Sequence, residues 1–243
     1  MPQAHRSLAK EVVNYDRAGF SHSQKRTEKM IHFLHGDALA SVPNLARSMF
    51  LDRGEQFKTR LGWDVTVDEF GEERDEYDLL NPLYVIVANE DGRHDASMRL
   101  LPTTGKTMVN DHFLEVTHGV RIESPMIWEC TRFCASPDAR PYATTKLMAA
   151  GGKIMQEFCI DHFVGVFDRK MLPVYRAIGS VPSVVGWTQN DKKKIGIGLW
   201  EYDVNAYKRL LDGCDLTAIE MELYFANSGL VATHGQEKNV FAA

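Results

Sequence analysis

The chain has 243 residues, 44% of them hydrophobic and 25% charged, and carries a net charge of −5. That length and composition suit one large globular domain with a sizeable core, with or without an appendage. The acidic balance excludes a global pull toward nucleic acid or anionic membrane, and no apolar run reaches the ~20 residues needed to span a bilayer.

Four cysteines, Cys130, Cys134, Cys159 and Cys214, occur with no secretory leader and no metal-ligand spacing. They indicate a reducing cytoplasm, with the thiols as small core residues. Residues 1–30 hold six Lys/Arg against three acids and read as a polar N-terminal extension. A short strand is expected at 30–36, and Pro43 then opens a helix of about 18 residues. Its apolar stripe runs through Val42, Ala46, Met49, Phe50 and Phe57, and Arg53 falls inside that stripe.

Between Asp64 and Asp78 lies a loop with eight acids and one arginine. Residues 83–88 (LYVIVA) read as a strand, Asp91-Gly92 as a turn, and 96–101 (ASMRLL) as the hairpin partner. Further strands are expected at 126–135, 163–168, 184–188 and 194–202, and helices at 144–162, 169–178 and 204–211. Hairpins first, then strands alternating with helices, imply an α/β domain over 31–212 with a mixed central sheet flanked by helices on both faces. Residues 213–243 read as a C-terminal extension.

A guanidinium in an apolar stripe requires carboxylates nearby, which points from Arg53 to Asp75 and Asp78 in the acidic loop. Arg99 shares a strand face with Ser97 and Leu101, opposite Ala96, Met98 and Leu100. Glu129 and Arg132 are three apart, so a regular strand would aim them at opposite faces, whereas a bulge would turn both toward one cleft. Phe57 and Trp63 offer aromatic faces for a cation or a purine.

Together, Arg53, Phe57, Trp63, Asp75, Asp78, Arg99, Glu129 and Arg132 resemble, in order and spacing, the signature of LuxI-type acyl-homoserine-lactone synthases. The resemblance covers about residues 31–202 and implies an N-acetyltransferase-like three-layer sandwich. It implies acyl transfer to the amine of S-adenosylmethionine, followed by lactonisation and release of methylthioadenosine, the product being a quorum-sensing signal. S-adenosylmethionine is a substrate, and neither a cofactor nor a metal is implied.

On that resemblance Glu129 is the general base, Asp75 and Asp78 hold the ammonium, and Arg53, Arg99 and Arg132 orient the substrate carboxylate or the acids. Phe57, Trp63, Thr131 and Phe133 would line the substrate pocket. Gly165 stands where 3-oxo-preferring members carry Thr or Ser, which leans toward an unsubstituted or 3-hydroxy chain. The donor is an acyl carrier protein thioester, or acyl-coenzyme A. The stretch CASPDARPYATTK before the long helix lacks the glycine-rich loop that cradles a pyrophosphate, which favours carrier protein. Arg169, Lys170 and Arg176, with 192–194, are the candidate docking cations. Two other readings stay open at this level: an N-acyl amino acid synthase of the same fold, and a non-catalytic ligand-binding module.

Overall fold

Among the described residues, the fold is built around a seven-stranded sheet. The structure, a computed structural model, describes residues 31–189 and 194–230. The segment 1–30 and the cations Lys192 and Lys193 lie outside these residues. Ile31–His35 (β1), Leu83–Ala88 (β2), His94–Pro102 (β3) and Ile127–Ala135 (β4) form an antiparallel run. LYVIVA is buried along its whole length because β2 has neighbours on both edges and helices over both faces.

β4 then pairs in parallel with His162–Asp168 (β5), so the connection must cross a face of the sheet, and Ala143–Glu157 (α3) makes that crossing. Ile195–Glu201 (β7) and Ser183–Trp187 (β6) complete the far edge in antiparallel fashion. The remaining helices are Pro43–Arg53 (α1), Met108–His112 (α2), Leu172–Ala177 (α4), Val204–Gly213 (α5) and Ala218–Ala226 (α6). This is the mixed sheet with helices on both faces that the order of elements predicts.

Alternation along the strands divides the core. Val85, Met98 and Leu100 point to one face, against Leu147 and Ile154 of α3, Leu211 of α5 and Phe225 of α6. Tyr84, Ile86 and Ala88 point to the other, against Leu45, Met49 and Phe50 of α1. Residues beyond 212 thus contribute Met221 and Phe225 to the main core. Near β5, Val109 of α2 packs on Val164 and Ile197.

The elements differ from expectation in three respects. The helix from Pro43 does continue to Arg60, but Gly54–Arg60 is wound as a wider π-helix. The long helix ends at Glu157, short of 162, because Cys159 adopts φ 52 and the Ile160 N–H returns to the Met155 carbonyl at 2.8 Å. α2 and α6 are additional; α2 is too short for periodicity to reveal, while α6 begins with a Thr217–Glu220 capping box that the sequence displays. Cys159 is exposed, unlike the buried Cys134 and Cys214.

Gly54, at the change in winding, lets the acidic loop cross directly over the helix. A Cβ there would overlap the Gly71 carbonyl oxygen. Two residues on, the Glu73 N–H reaches the Phe50 carbonyl at 3.0 Å. His94 pins the same helix to β3, its Nδ1 lying 2.6 Å from Asp52 Oδ2 and its Nε2 2.9 Å from Ser97 Oγ. Gly54→Ala should therefore push the loop off the helix and cost about 1–3 kcal/mol, the usual range for overpacking. Denaturant unfolding measures this, and a wild-type midpoint would show that the loop relaxes without penalty.

Candidate active site

Three guanidiniums and three carboxylates meet on the α1 face of the sheet. Arg53 is 1% exposed and Glu73 wholly buried. Arg53 Nε donates to Glu73 Oε2 at 2.6 Å, and its two terminal nitrogens fork onto Asp78 at 3.0 and 2.9 Å. Arg99 donates from Nε to Thr131 Oγ1 at 3.0 Å and from its terminal nitrogens to both oxygens of Asp75, and reaches Asp78 at 2.8 Å. Arg132 joins Glu73 at 2.8 Å and Asp75 at 2.7 Å. The Tyr84 hydroxyl donates to Asp78. Every charge has an opposite partner, which is the condition for burying it.

Local backbone hydrogen bonds, and not the arginines alone, hold two of the acids. Asp75 and Asp78 form a capping box around Glu76–Leu80: the Tyr77 and Asp78 N–H groups donate to Asp75 Oδ1, and the Asp75 N–H donates to Asp78. Burial opposes ionisation of Asp78. Its bonds to Arg53 and the charges of Arg53 and Arg99 overcome that and hold its carboxyl well below the usual carboxylate range. Burial likewise opposes the Arg53 charge, and Asp78 and Glu73 restore it, so the guanidinium stays protonated throughout.

Arg132 enters through a bulge. Between Ser97↔Cys134 and Arg99↔Thr131, β3 advances by two residues and β4 by three, and Arg132 itself takes φ 52. The expected bulge is therefore present, and it turns Arg132 to the face that Glu129 and Thr131 already share. The parallel pairing of β4 with β5 ends at Glu129↔Val164, although β4 continues to Ala135 and β5 to Asp168. The second half of β4 thus has an open backbone edge beside the bulge.

Phe57 and Trp63 stack with centroids 5.1 Å apart and planes 12° apart, and the Arg132 guanidinium lies 5.5 Å from the Phe57 ring. Phe57 is buried and Trp63 is 40% exposed, so the stack runs from the network to the surface. Glu129 is also buried, but it turns away from the arginines: Oε2 accepts the Met108 N–H at 3.0 Å and Oε1 the Val109 N–H at 2.6 Å. Burial pushes its carboxyl up, against the pull of those two N–H groups and of Arg99.

The other expected site residues sit around this centre. Thr131 is a partner of Arg99 within the network, and Phe133 is exposed just past the bulge. Gly165 faces Gly198 across the β5–β7 pair; a Cβ there would stand 3.1 Å from the Cys130 carbonyl and 3.3 Å from the Trp200 ring. Arg169, Lys170 and Arg176 are exposed just beyond β5 and are not part of the network.

Sequence reasoning missed Glu73 and Tyr84. A charge count would have found the first, since three buried arginines need a third carboxylate beside Asp75 and Asp78. Tyr84 carries no comparable signal, being one apolar-looking position in a continuous strand.

A model of the autoinducer synthase family matches residues 38–210. The chain is 35% identical over 182 residues to the acyl-homoserine-lactone synthase of Rhizobium etli, covering 71% of this chain and 84% of that protein. It is 30% identical over 162 residues to the enzyme of Ralstonia solanacearum, covering 57% and 79%. Among solved structures it is similar to LasI, with TM-score 0.65 and 25% identity over 77% of this chain and 96% of that one. A similar fold is seen in BjaI, described as a CoA-dependent acyl-homoserine lactone synthase with SAM and isopentyl-CoA, with TM-score 0.69 and 22% identity over 79% and 92%. The chain belongs to the LuxI-type autoinducer synthase family and is an acyl-homoserine-lactone synthase, an acyltransferase with the N-acetyltransferase-like fold of that family.

Proposed function

We propose that the chain transfers an acyl group from an acyl carrier protein thioester to the α-amine of S-adenosylmethionine and then closes the lactone with release of methylthioadenosine. The observation that carries this reading is the charge-balanced Arg53–Arg99–Arg132 network, bounded by the Phe57–Trp63 stack and the β4 bulge. Arg53, Asp78 and Glu73 are its interior frame. Arg132 and Asp75 lie at its more exposed edge, where a methionyl carboxylate and ammonium can exchange into the same ion pairs. Trp63, at the outer end of the stack, offers a face to the sulfonium or the adenine.

A free α-amine titrates near ~8 and must lose a proton before it attacks the thioester. Glu129, whose carboxyl burial makes more basic than usual, takes that proton directly or through a water. The open edge of β4 past Glu129 supplies backbone N–H groups to the thioester carbonyl. In the second step the methionyl carboxylate attacks the carbon bonded to sulfur; the C–O bond forms as the C–S bond breaks, and the thioether leaves without any proton transfer. Nucleophile and leaving group belong to one bound molecule, so proximity supplies most of the acceleration.

Carrier protein as donor is supported by the exposed Arg169, Lys170 and Arg176. It is also supported by the lead into α3, where Tyr142 at φ 67 stands in place of a glycine-rich phosphate loop. Acyl-coenzyme A is the second reading, favoured by the CoA dependence ascribed to BjaI. Gly165 offers no hydroxyl to a 3-oxo group, and the Trp200 ring covers it, which supports an unsubstituted or 3-hydroxy chain.

Purified protein supplied with S-adenosylmethionine and each donor in turn should release methylthioadenosine and lactone in equal amounts, faster with the carrier thioester. Amide formed without methylthioadenosine would move the chain to amino-acid acylation. Glu73→Gln leaves two buried guanidiniums short of a counter-charge, so it should cost about 3–5 kcal/mol of stability and most of the activity. Glu72→Ala, one residue away but paired only with the exposed Arg47 and Arg74 and outside the network, should change both little. Equal effects at the two positions would show that the loop is only a solvated charge run. Glu129→Gln should lower turnover by ~10² or more with S-adenosylmethionine affinity within a few-fold; wild-type turnover in that variant would remove Glu129 from the proton path.

A further inference from the structure

Thr107 immediately precedes α2, and its side chain is wholly buried. A threonine at such a position ordinarily turns its oxygen back onto the N–H groups of the first turn. Here that work is done by Glu129, which accepts the Met108 and Val109 N–H groups at 3.0 and 2.6 Å. The Thr107 carbonyl is also satisfied, accepting the Asp111 N–H at 3.0 Å. Its Oγ1 is the buried side-chain polar atom left without a partner among the described residues. An enclosed hydroxyl in that condition is less favourable than the methyl group of an isosteric valine.

The carboxylate that caps the same turn gives this hydroxyl a use. Glu73, Asp75 and Asp78 are taken up by Arg53, Arg99 and Arg132, whereas Glu129 is bonded by backbone N–H groups alone among the described residues. One chain position separates Thr107 from the N–H that Glu129 holds.

We propose that Thr107 contacts substrate in this reaction, its Oγ1 accepting one N–H of the S-adenosylmethionine α-amine while Glu129 takes a proton from the same nitrogen. The inference rests on the function proposed above. With one N–H on Thr107 and one proton passed to Glu129, the nitrogen lone pair is left to attack the thioester carbonyl carbon. The new C–N bond forms, the C–S bond breaks, the nitrogen sheds its second proton, and the leaving thiolate takes up a proton. The balance is one amide, one thiol and one proton released to solvent.

The test uses the full chain with Thr107→Val and Thr107→Ser, measuring turnover, KM for S-adenosylmethionine and melting temperature. Thr107→Val should melt at or above the wild-type temperature while turnover falls about tenfold, the equivalent of one lost hydrogen bond. Thr107→Ser should recover most of that turnover. A valine variant with wild-type turnover and KM overturns the proposal, and so does one whose activity falls only in step with its melting temperature, or a serine variant no better than valine. Failure of the wild-type chain to release methylthioadenosine would instead remove the underlying reaction and this role with it, so the two failures are told apart by the wild-type control.

Discussion

Three guanidiniums cannot be withdrawn from water beneath a helix unless three carboxylates are delivered to them, and much of this architecture serves that delivery. Arg53 comes from α1, Arg99 from β3 and Arg132 from β4, whereas Glu73, Asp75 and Asp78 all come from one loop. The loop must therefore lie closely on the helix, which is why a residue without a side chain stands at Gly54. It must also present its acids at fixed spacing, which the Asp75–Asp78 capping box does through backbone N–H groups of the loop itself. Arg132 comes from a strand whose regular alternation would carry it to the wrong face, and the extra residue in β4 corrects that.

The same strand joins the two halves of the proposed chemistry. At its start β4 pairs with β5 and carries Glu129; past Glu129 the pairing stops, and the bulge delivers Arg132 to the ion-pair network. In that proposal a methionyl group engaged by Arg132 and Asp75 lies one short step along the strand from the buried carboxylate of Glu129. On the same proposal an acyl thioester entering between β4 and β5 would meet the unpaired backbone edge between them, and one irregular strand would bring acceptor and donor together.

Much of this was legible in the sequence, for identifiable reasons. LYVIVA and ASMRLL announce themselves by β-branched and apolar content, and Arg53 by its place in a helical stripe. The requirement that a buried Arg be neutralised points to Asp75 and Asp78, and the three-residue spacing of Glu129 and Arg132 shows that a bulge would be needed to turn both toward one cleft. What escaped was the part decided by tertiary placement. Glu73 is one of eight acids in its loop, and only the crossing over Gly54 singles it out. The partners of Glu129 come from a helix of five residues that no periodicity can reveal, so the sequence places Glu129 in a cleft with Arg132 without showing that backbone N–H groups hold its carboxylate. Gly165 invited a reading through what it lacks; the structure adds that the space is taken by Trp200, a residue 35 positions away that no local pattern connects to it.

The energetics also bear on why such a network is kept. Replacing a buried ion-pair cluster by apolar side chains of similar volume is often neutral or stabilising by about 1–4 kcal/mol, because desolvation consumes most of the Coulombic gain. Stability alone would thus favour Leu or Met at positions 53 and 99, where the Phe50 ring already lies 5.0 Å from the Arg53 guanidinium and the Tyr77 ring 5.5 Å from that of Arg99. The burial is also graded: Arg53 and Glu73 are sealed, Asp78 less so, while Arg132 and Asp75 retain a margin of exposure. A purely structural cluster gains nothing from that gradient. A site that must accept a zwitterionic substrate does, because the outer pair can exchange its partners for the incoming ammonium and carboxylate while the inner charges keep the frame unmoved.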